Sequence, residues 1–165
     1  MNHDTSADVV SPALLRGLVV DLPPEADDAP KALERVWAGL RVARLLGLRL
    51  ARTGAPWHAR QVNAECVEHQ IATDFTTSAT FARVPLVLPT PDGLTGLRPD
   101  EVDDAVGALV AFGAAARAHM LAAAPRADRW HDERVLRHDS LVIADLGPAW
   151  LGERRGYVVA RPPLW

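Results

Sequence analysis

The stretch from residue 102 to residue 124, VDDAVGALVAFGAAARAHMLAAA, constrains the fold more than any other part of this chain. On a helix with about 100° per residue, its larger apolar side chains share one face. The opposite face carries only small residues, so that a second backbone can approach it closely. The small residues that define this candidate interaction face are Gly107, Ala111, Ala114, Ala115 and Ala118. The pattern predicts a helix that packs on two sides, either at the centre of the fold or between subunits.

The ends of this stretch have ordinary helix signals, and its charges argue against a membrane span. Pro99 fits the first turn, acidic residues follow it, and Pro125 ends the helix. Only residues 105–116 are free of charge, which is about half of the roughly 20 residues that a transmembrane helix needs. We therefore expect no transmembrane span.

The length and composition are those of one globular domain. The chain has 165 residues, of which 48% are hydrophobic and 5% aromatic, so the core is expected to be aliphatic. We expect a loose tail over residues 1–12 and a single domain over residues 13–165. The only cysteine is Cys66, and no basic segment precedes an apolar run at the N-terminus. These features favour a reducing, cytoplasmic location, and the preference for Arg over Lys is typical of a GC-rich bacterial genome.

Charge is distributed unevenly along the chain. The net charge of −3 makes a general nucleic-acid binder unlikely. Residues 31–60 nevertheless carry seven basic residues against Glu34, and this block lies between acidic blocks at residues 1–30 and 92–104. We expect the basic block to dock against the acidic ones, with binding to an anionic membrane surface as a less favoured alternative.

The basic block falls on a second predicted helix. Asp28 is a suitable N-cap, Pro30 fits the first turn, and Gly54 and Pro56 follow the end near Arg52. The candidate anion contacts on this helix are Arg41, Arg44, Arg49 and Arg52. Arg44 differs from the others because it falls within the apolar arc.

The remaining apolar segments predict strands. Residues 67–75 alternate between apolar and polar side chains, and residues 81–88 read as the returning strand of a hairpin. Residues 14–22, 140–146 and 157–161 are short apolar runs that also favour strands. The predicted fold class is α+β, with two main helices packed on a small, largely antiparallel sheet.

Two of these predicted strands end in an Asp-Leu pair followed by a proline turn. Asp21 and Asp145 would lie together if the two strands were parallel neighbours, and this acidic pair could hold Mg²⁺ beside a phosphate-type ligand. A turn-capping role for each aspartate is the simpler interpretation.

Other combinations of reactive residues do not form a recognisable site. The doublets His131-Asp132 and His138-Asp139 would place their histidines about 10 Å apart on a helix, too far to share one metal ion. Cys66 and His69 would face opposite sides of a strand. No phosphate loop, nucleophile elbow or zinc-protease motif occurs, so we expect no metal site and no cofactor.

Tryptophans are numerous for a chain with so few other aromatic residues. Trp57, Trp150 and Trp165 lie next to Pro or Gly in predicted loops and tails, where aromatic residues serve binding surfaces or close the ends of a core.

Three classes of function follow. The first is a non-enzymatic interaction or assembly module, which binds a protein partner or a second copy through the small-residue helix face. The second is a small enzyme or ligand-binding protein that uses Asp21 and Asp145. The third is a peripheral binder of an anionic surface through the Arg-rich helix.

Overall fold

The computed structural model of the protein describes residues 10–22 and 27–153. Its α-helices are α1 (Pro12–Val20), α2 (Ala29–Ala51), α3 (Pro56–Phe75), α4 (Val102–Ala123), α5 (Trp130–Val142) and α6 (Leu146–Leu151). Short 3-10 turns lie at Pro99–Glu101, Ala124–Arg126 and Ile143–Asp145. The described part of the chain contains no strand, so the predicted α+β fold and its antiparallel sheet are wrong. The protein is a helical bundle.

Helix α4 is the centre of this bundle, which is one of the two positions that its sequence pattern predicts. It contacts α1, α2, α5 and α6. Phe112 is fully buried and its ring occupies the place where a Cβ on Gly39 of α2 would lie. By length and composition, the segment Pro99–Arg126 could also cross a membrane. Its contacts with four other helices are those of a core helix.

Helix α2 follows its predicted bounds closely. The Asp28 side chain accepts a hydrogen bond from the Lys31 backbone N–H at 3.0 Å, as the predicted N-cap requires. The preceding residue, Asp27, is buried and binds Arg35 at 2.9 Å and His119 of α4 at 3.1 Å. These contacts join the start of α2 to the central helix.

Helix α1 replaces the strand that was predicted over residues 14–22. The Ser11 hydroxyl accepts a hydrogen bond from the Leu14 N–H at 3.2 Å, and Pro12 occupies the first turn. Leu15 is buried, while Arg16 forms an ion pair with Asp104 of α4. Capping and contact with α4 therefore outweigh the strand preference of the β-branched residues. Val10, which was assigned to the loose tail, is also buried.

Helix α3 replaces the first strand of the predicted hairpin. Its buried residues follow the helical spacing of three and four. They are Ala64, Val67, Glu68, Ile71, Ala72 and Phe75. Glu68 interrupts the apolar stripe of this helix. Because of this interruption, the alternating pattern of residues 67–75 is easier to recognise in the sequence than the helical pattern.

The second strand of the hairpin is replaced by an irregular segment. Residues 84–98, which we name the strap, have no helix before the Pro99–Glu101 turn. Leu88, Leu94 and Leu97 are buried, and the Leu97 N–H donates to Thr53 Oγ1 at 3.2 Å. The strap is thus fixed to the bundle by side chains.

Helices α5 and α6 include the residues of the predicted inner strand at 140–146. The run ends α5, passes through the Ile143–Asp145 turn and begins α6. Trp150 of α6 is fully buried, and its ring occupies the place where a Cβ on Gly47 of α2 would lie. The predicted strand at 157–161 lies outside the described residues.

Candidate functional site

A buried ion cluster joins α2, α3 and the strap. Arg44 donates to Glu68 Oε2 and to Glu65 Oε1, both at 2.8 Å, and its Nε donates to the Pro89 carbonyl at 2.8 Å. The side chains of Arg44 and Glu68 are each 2% exposed, whereas that of Glu65 is 33% exposed. We call this the Arg44 cluster. Open cavities of about 450 and 580 Å³ lie beside it, and Arg44, Glu65 and Thr90 line both of them.

The Arg44 cluster has the chemistry of a structural element. Three of its guanidinium nitrogens already donate to acceptors within the protein, so the side chain fixes the strap to two helices. Burial raises the pKa of Glu68 to about 7, against the opposing effect of Arg44.

The raised pKa of Glu68 predicts a pH-dependent stability. The folded state binds this proton more tightly than the unfolded state, so stability is greatest below the ordinary pKa of 4.5 and is lost as the pH rises through about 7. We expect the loss between pH 4.5 and pH 7 to reach about 3 kcal/mol. The measurement is the free energy of unfolding in urea for the wild type and for Glu68→Gln at several pH values across this range. A difference between the two proteins that does not vary with pH would contradict the prediction.

A second cluster joins α3 to α5. One ligand atom each from Asp74, His138 and Asp139 lies within 4.8 Å of the other two. The Asp74 side chain is 23% exposed and His138 is 57% exposed, with His138 Nε2 at 3.4 Å from Asp74 Oδ2. Asp139 is completely buried. We call this the Asp139 centre.

Asp139 is unusual because no N–H group of the described chain donates to its buried carboxyl group, although the nearby Arg134 guanidinium favours its charged form. Within residues 10–22 and 27–153, neither of its Oδ atoms accepts a hydrogen bond from an N–H group. Burial, together with the repulsion and the carboxyl–carboxyl hydrogen bond from Asp74, raises the pKa of Asp139 to about 9. A buried carboxyl group beside a second one requires either a shared proton or a bound cation.

The surroundings of the Asp139 centre orient its ligands. Gln70, one helical turn before Asp74, donates to Asp74 Oδ2 at 2.7 Å. Such outer hydrogen bonds fix carboxylate ligands in metal sites. Two carboxylates and one imidazole match the preferences of first-row transition ions such as Mn²⁺ and Zn²⁺. The exposed histidine leaves one side of the centre open to solvent.

The acidic pair proposed from the sequence occupies different surroundings. Asp21 follows the end of α1, and the Arg35 guanidinium donates to its backbone carbonyl. Asp145 ends the 3-10 turn before α6. Both are exposed, and the strands whose ends were to bring them together do not exist in the described chain.

The four candidate anion contacts divide into two groups. Arg44 is buried in its cluster, and Arg49 donates to the carbonyls of Val10, Thr95 and Gly96 at 2.5, 3.2 and 3.4 Å. Arg41 and Arg52 are exposed. The carbonyl groups of the strap therefore accept hydrogen bonds from Arg44 and Arg49, whereas Lys31 and Arg35 of the same helix pair with Asp27 of the acidic block at residues 1–30.

The candidate interaction face of α4 is only partly accessible. Gly107, Ala114 and Ala118 are exposed, whereas Ala111 and Ala115 are half-buried. Helix α1 lies close by, with an Arg16 Nη atom 3.3 Å from the position of a Cβ on Gly107.

The candidate surface tryptophans differ in how far they are buried. Trp57 is half-buried beneath the Arg60 guanidinium, which lies 4.7 Å from its ring centroid. Trp150 is a core residue, so it offers no binding surface. Trp165 lies outside the described residues. Among the described tryptophans, the exposed one is Trp130, at 67%.

Sequence reasoning missed the Asp139 centre. The sequence pairs His138-Asp139 only with the similar doublet His131-Asp132. Asp132 is buried away from the Asp139 centre and accepts hydrogen bonds from the Thr80 N–H and hydroxyl at 3.1 and 3.0 Å. The third member, Asp74, was placed on a strand. A helical interpretation of α3 would have put Gln70 and Asp74 on one face and supplied a signal.

Comparisons of the chain with family models, with curated proteins and with solved structures return no match. The functional interpretation consequently depends on the geometry of these two clusters.

Proposed function

We propose that this protein binds a divalent transition-metal ion at the Asp139 centre and belongs to the class of small helical ligand-binding proteins or enzymes. The observation that carries the proposal is the complete burial of Asp139 without an N–H donor in the described chain, within reach of two further ligand side chains. A bound cation replaces the proton that the two carboxyl groups otherwise share.

The ligand set favours an ion with open coordination positions. Three protein ligands leave at least one position for water or substrate, as in catalytic zinc sites, whereas structural zinc sites use four. The imidazole of His138 favours Mn²⁺ or Zn²⁺ over Mg²⁺, which prefers oxygen ligands and retains waters.

Metal titration of the metal-free protein tests this proposal. We expect saturable one-to-one binding of Mn²⁺ in calorimetry, with proton release because the carboxyl groups must lose their shared proton. His138→Ala and Asp139→Asn should abolish binding, and Gln70→Leu should weaken it by about tenfold. Mn²⁺ should raise the melting temperature of the wild type and leave that of Asp139→Asn unchanged.

The matched control is His131→Ala, which removes the other histidine of the same helix. Asp139→Asn also tests the alternative that the two carboxyl groups share a proton and bind no metal ion. The amide removes the repulsion between the carboxyl groups, and this effect does not depend on added metal. If the wild type binds no Mn²⁺ or Zn²⁺, or if His131→Ala weakens binding as much as His138→Ala, the metal proposal is wrong.

Assembly through α4 is a second candidate function, favoured by the exposure of Ala114 and Ala118 on its small-residue face. A leucine at Ala114 should shift the oligomeric state, measured by analytical ultracentrifugation, if two copies meet there. The comparison variant Ala108→Leu alters a fully buried residue and should cost about 1–3 kcal/mol of folding stability by overpacking. An Ala114→Leu protein with an unchanged oligomeric state would exclude self-association through this face.

A further inference from the structure

A groove on the surface of α5 adjoins the Asp139 centre and shares His138 with it. Its volume is about 440 Å³, and its lining consists of Trp130, Glu133, Arg134, Arg137, His138 and Leu141. These residues follow the three- and four-residue spacing of one helix face. A single side chain, His138, thus belongs both to the ligand set and to the wall of a groove.

The apolar part of the groove is unusually accessible. Trp130 is 67% exposed and Leu141 is 66% exposed, and they lie at opposite ends of the same helix face. Exposed aromatic side chains of this size are enriched where ligands or partners bind. The groove therefore offers an aromatic surface at one end and an aliphatic one at the other.

Its middle part carries two arginines against one acidic residue, Glu133. The Arg134 guanidinium lies 5.6 Å from the Trp130 ring centroid and donates to Thr77 Oγ1 at 2.8 Å, so its position is fixed from two sides. Arg137 pairs with Glu133 at 2.9 Å, but its side chain is still 56% exposed. Both arginines have N–H groups left over for an anion, and the planar guanidinium suits phosphate oxygens.

Given the metal site proposed above, on which this inference depends, we propose that the groove binds a phosphate monoester whose phosphate is carried on an aromatic or other flat apolar group. The phosphate lies against the arginines beside His138, and the apolar group lies against Trp130. Two guanidinium groups and a divalent ion match the dianionic charge of a phosphate monoester better than the single charge of a carboxylate.

Phenylphosphonate, which cannot be hydrolysed at its carbon–phosphorus bond, is the probe. We expect the Mn²⁺-loaded protein to bind it at least tenfold more tightly than the metal-free protein does in calorimetry. Inorganic phosphate should bind at least about tenfold more weakly because it lacks the ring, and benzoate more weakly because it carries less charge. Equal affinity with and without Mn²⁺ would overturn the inference.

Variants of the groove locate the binding site. Arg137→Gln should weaken phenylphosphonate binding about tenfold. Trp130→Ala should weaken phenylphosphonate binding to a similar extent but leave the binding of inorganic phosphate unchanged. Arg52→Gln is the matched control, because Arg52 lines the cavity beside the Arg44 cluster and not this groove. If Arg52→Gln has the same effect as Arg137→Gln, the groove is not the site.

The two proposals fail in distinguishable ways. Binding of Mn²⁺ that depends on His138 and Asp139, without any binding of phenylphosphonate, overturns the groove proposal and leaves the metal site intact. Absence of Mn²⁺ binding overturns both, since the bound ion supplies part of the positive charge that the phosphate needs.

Discussion

Replacement of Arg44 by methionine is expected to destabilise the protein by about 3–5 kcal/mol at pH 8, since it leaves the buried carboxylate of Glu68 without its cation. The same change removes the hydrogen bond to the Pro89 carbonyl that holds the strap. At pH 5 the loss should be smaller, because Glu68 is then protonated and needs no cation. Urea unfolding at the two pH values measures both effects.

The double variant Arg44→Met with Glu68→Leu is the control for this prediction. It replaces the buried ion pair by an apolar pair, and such replacements are often neutral or stabilising. We expect it to recover most of the stability lost in the single variant at pH 8. A double variant as unstable as Arg44→Met would show that the loss comes from the strap and not from the unpaired carboxylate.

Truncation of Trp150 to alanine is expected to cost about 3–5 kcal/mol, comparable with much of the stability of a domain of this size. Trp150 is the largest fully buried side chain of the described chain, and it links α6 to α2 at Gly47. Thermal and urea unfolding of Trp150→Ala provide the measurement.

The variant Trp150→Phe separates the contribution of side-chain volume to stability from that of the indole N–H. The indole N–H of Trp150 is buried without an acceptor in the part of the chain that the structure describes. Phenylalanine removes this donor, so we expect Trp150→Phe to cost less than half as much as Trp150→Ala. Gly47→Ala should also be destabilising, because a Cβ at that position overlaps the indole ring. A stable Trp150→Ala protein would mean that α6 contributes little to the fold.

The two long helices that the sequence predicted are those with complete local signals. Helix α2 has its N-cap at Asp28 and a continuous apolar stripe, and α4 has acidic residues at its start and apolar residues on two sides. Capping and periodicity act over a few residues, so they can be recognised without knowledge of the tertiary structure.

Helix α3 could not be predicted in the same way because one of its core positions is charged. Glu68 is buried only because Arg44 of α2 reaches it, and that contact joins residues far apart in the sequence. Both charged residues interrupt otherwise apolar stripes on neighbouring helices. Opposite charges at interior positions of two such stripes are a signal that could have identified α3.

Short apolar runs explain the other errors. Residues 14–20 and 140–146 are compatible with a buried strand or with part of a helix, and periodicity cannot separate the two over so few residues. Docking on α4 decides in favour of helix in both places. The Asp139 centre had the same difficulty, since Asp74 approaches His138 and Asp139 only when α3 and α5 pack together.

The strap can open at a lower free energy than the helical bundle needs to unfold. It is attached by three buried leucines, by hydrogen bonds that Arg44 and Arg49 donate to its carbonyl groups, and by the bond that the Leu97 N–H donates to Thr53 Oγ1. No helix needs to break for it to detach. Local opening of such a segment requires less free energy than global unfolding, so the strap amides should exchange their hydrogens well before those of α4. When the strap opens locally, additional water reaches the Arg44 cluster while the helices remain folded.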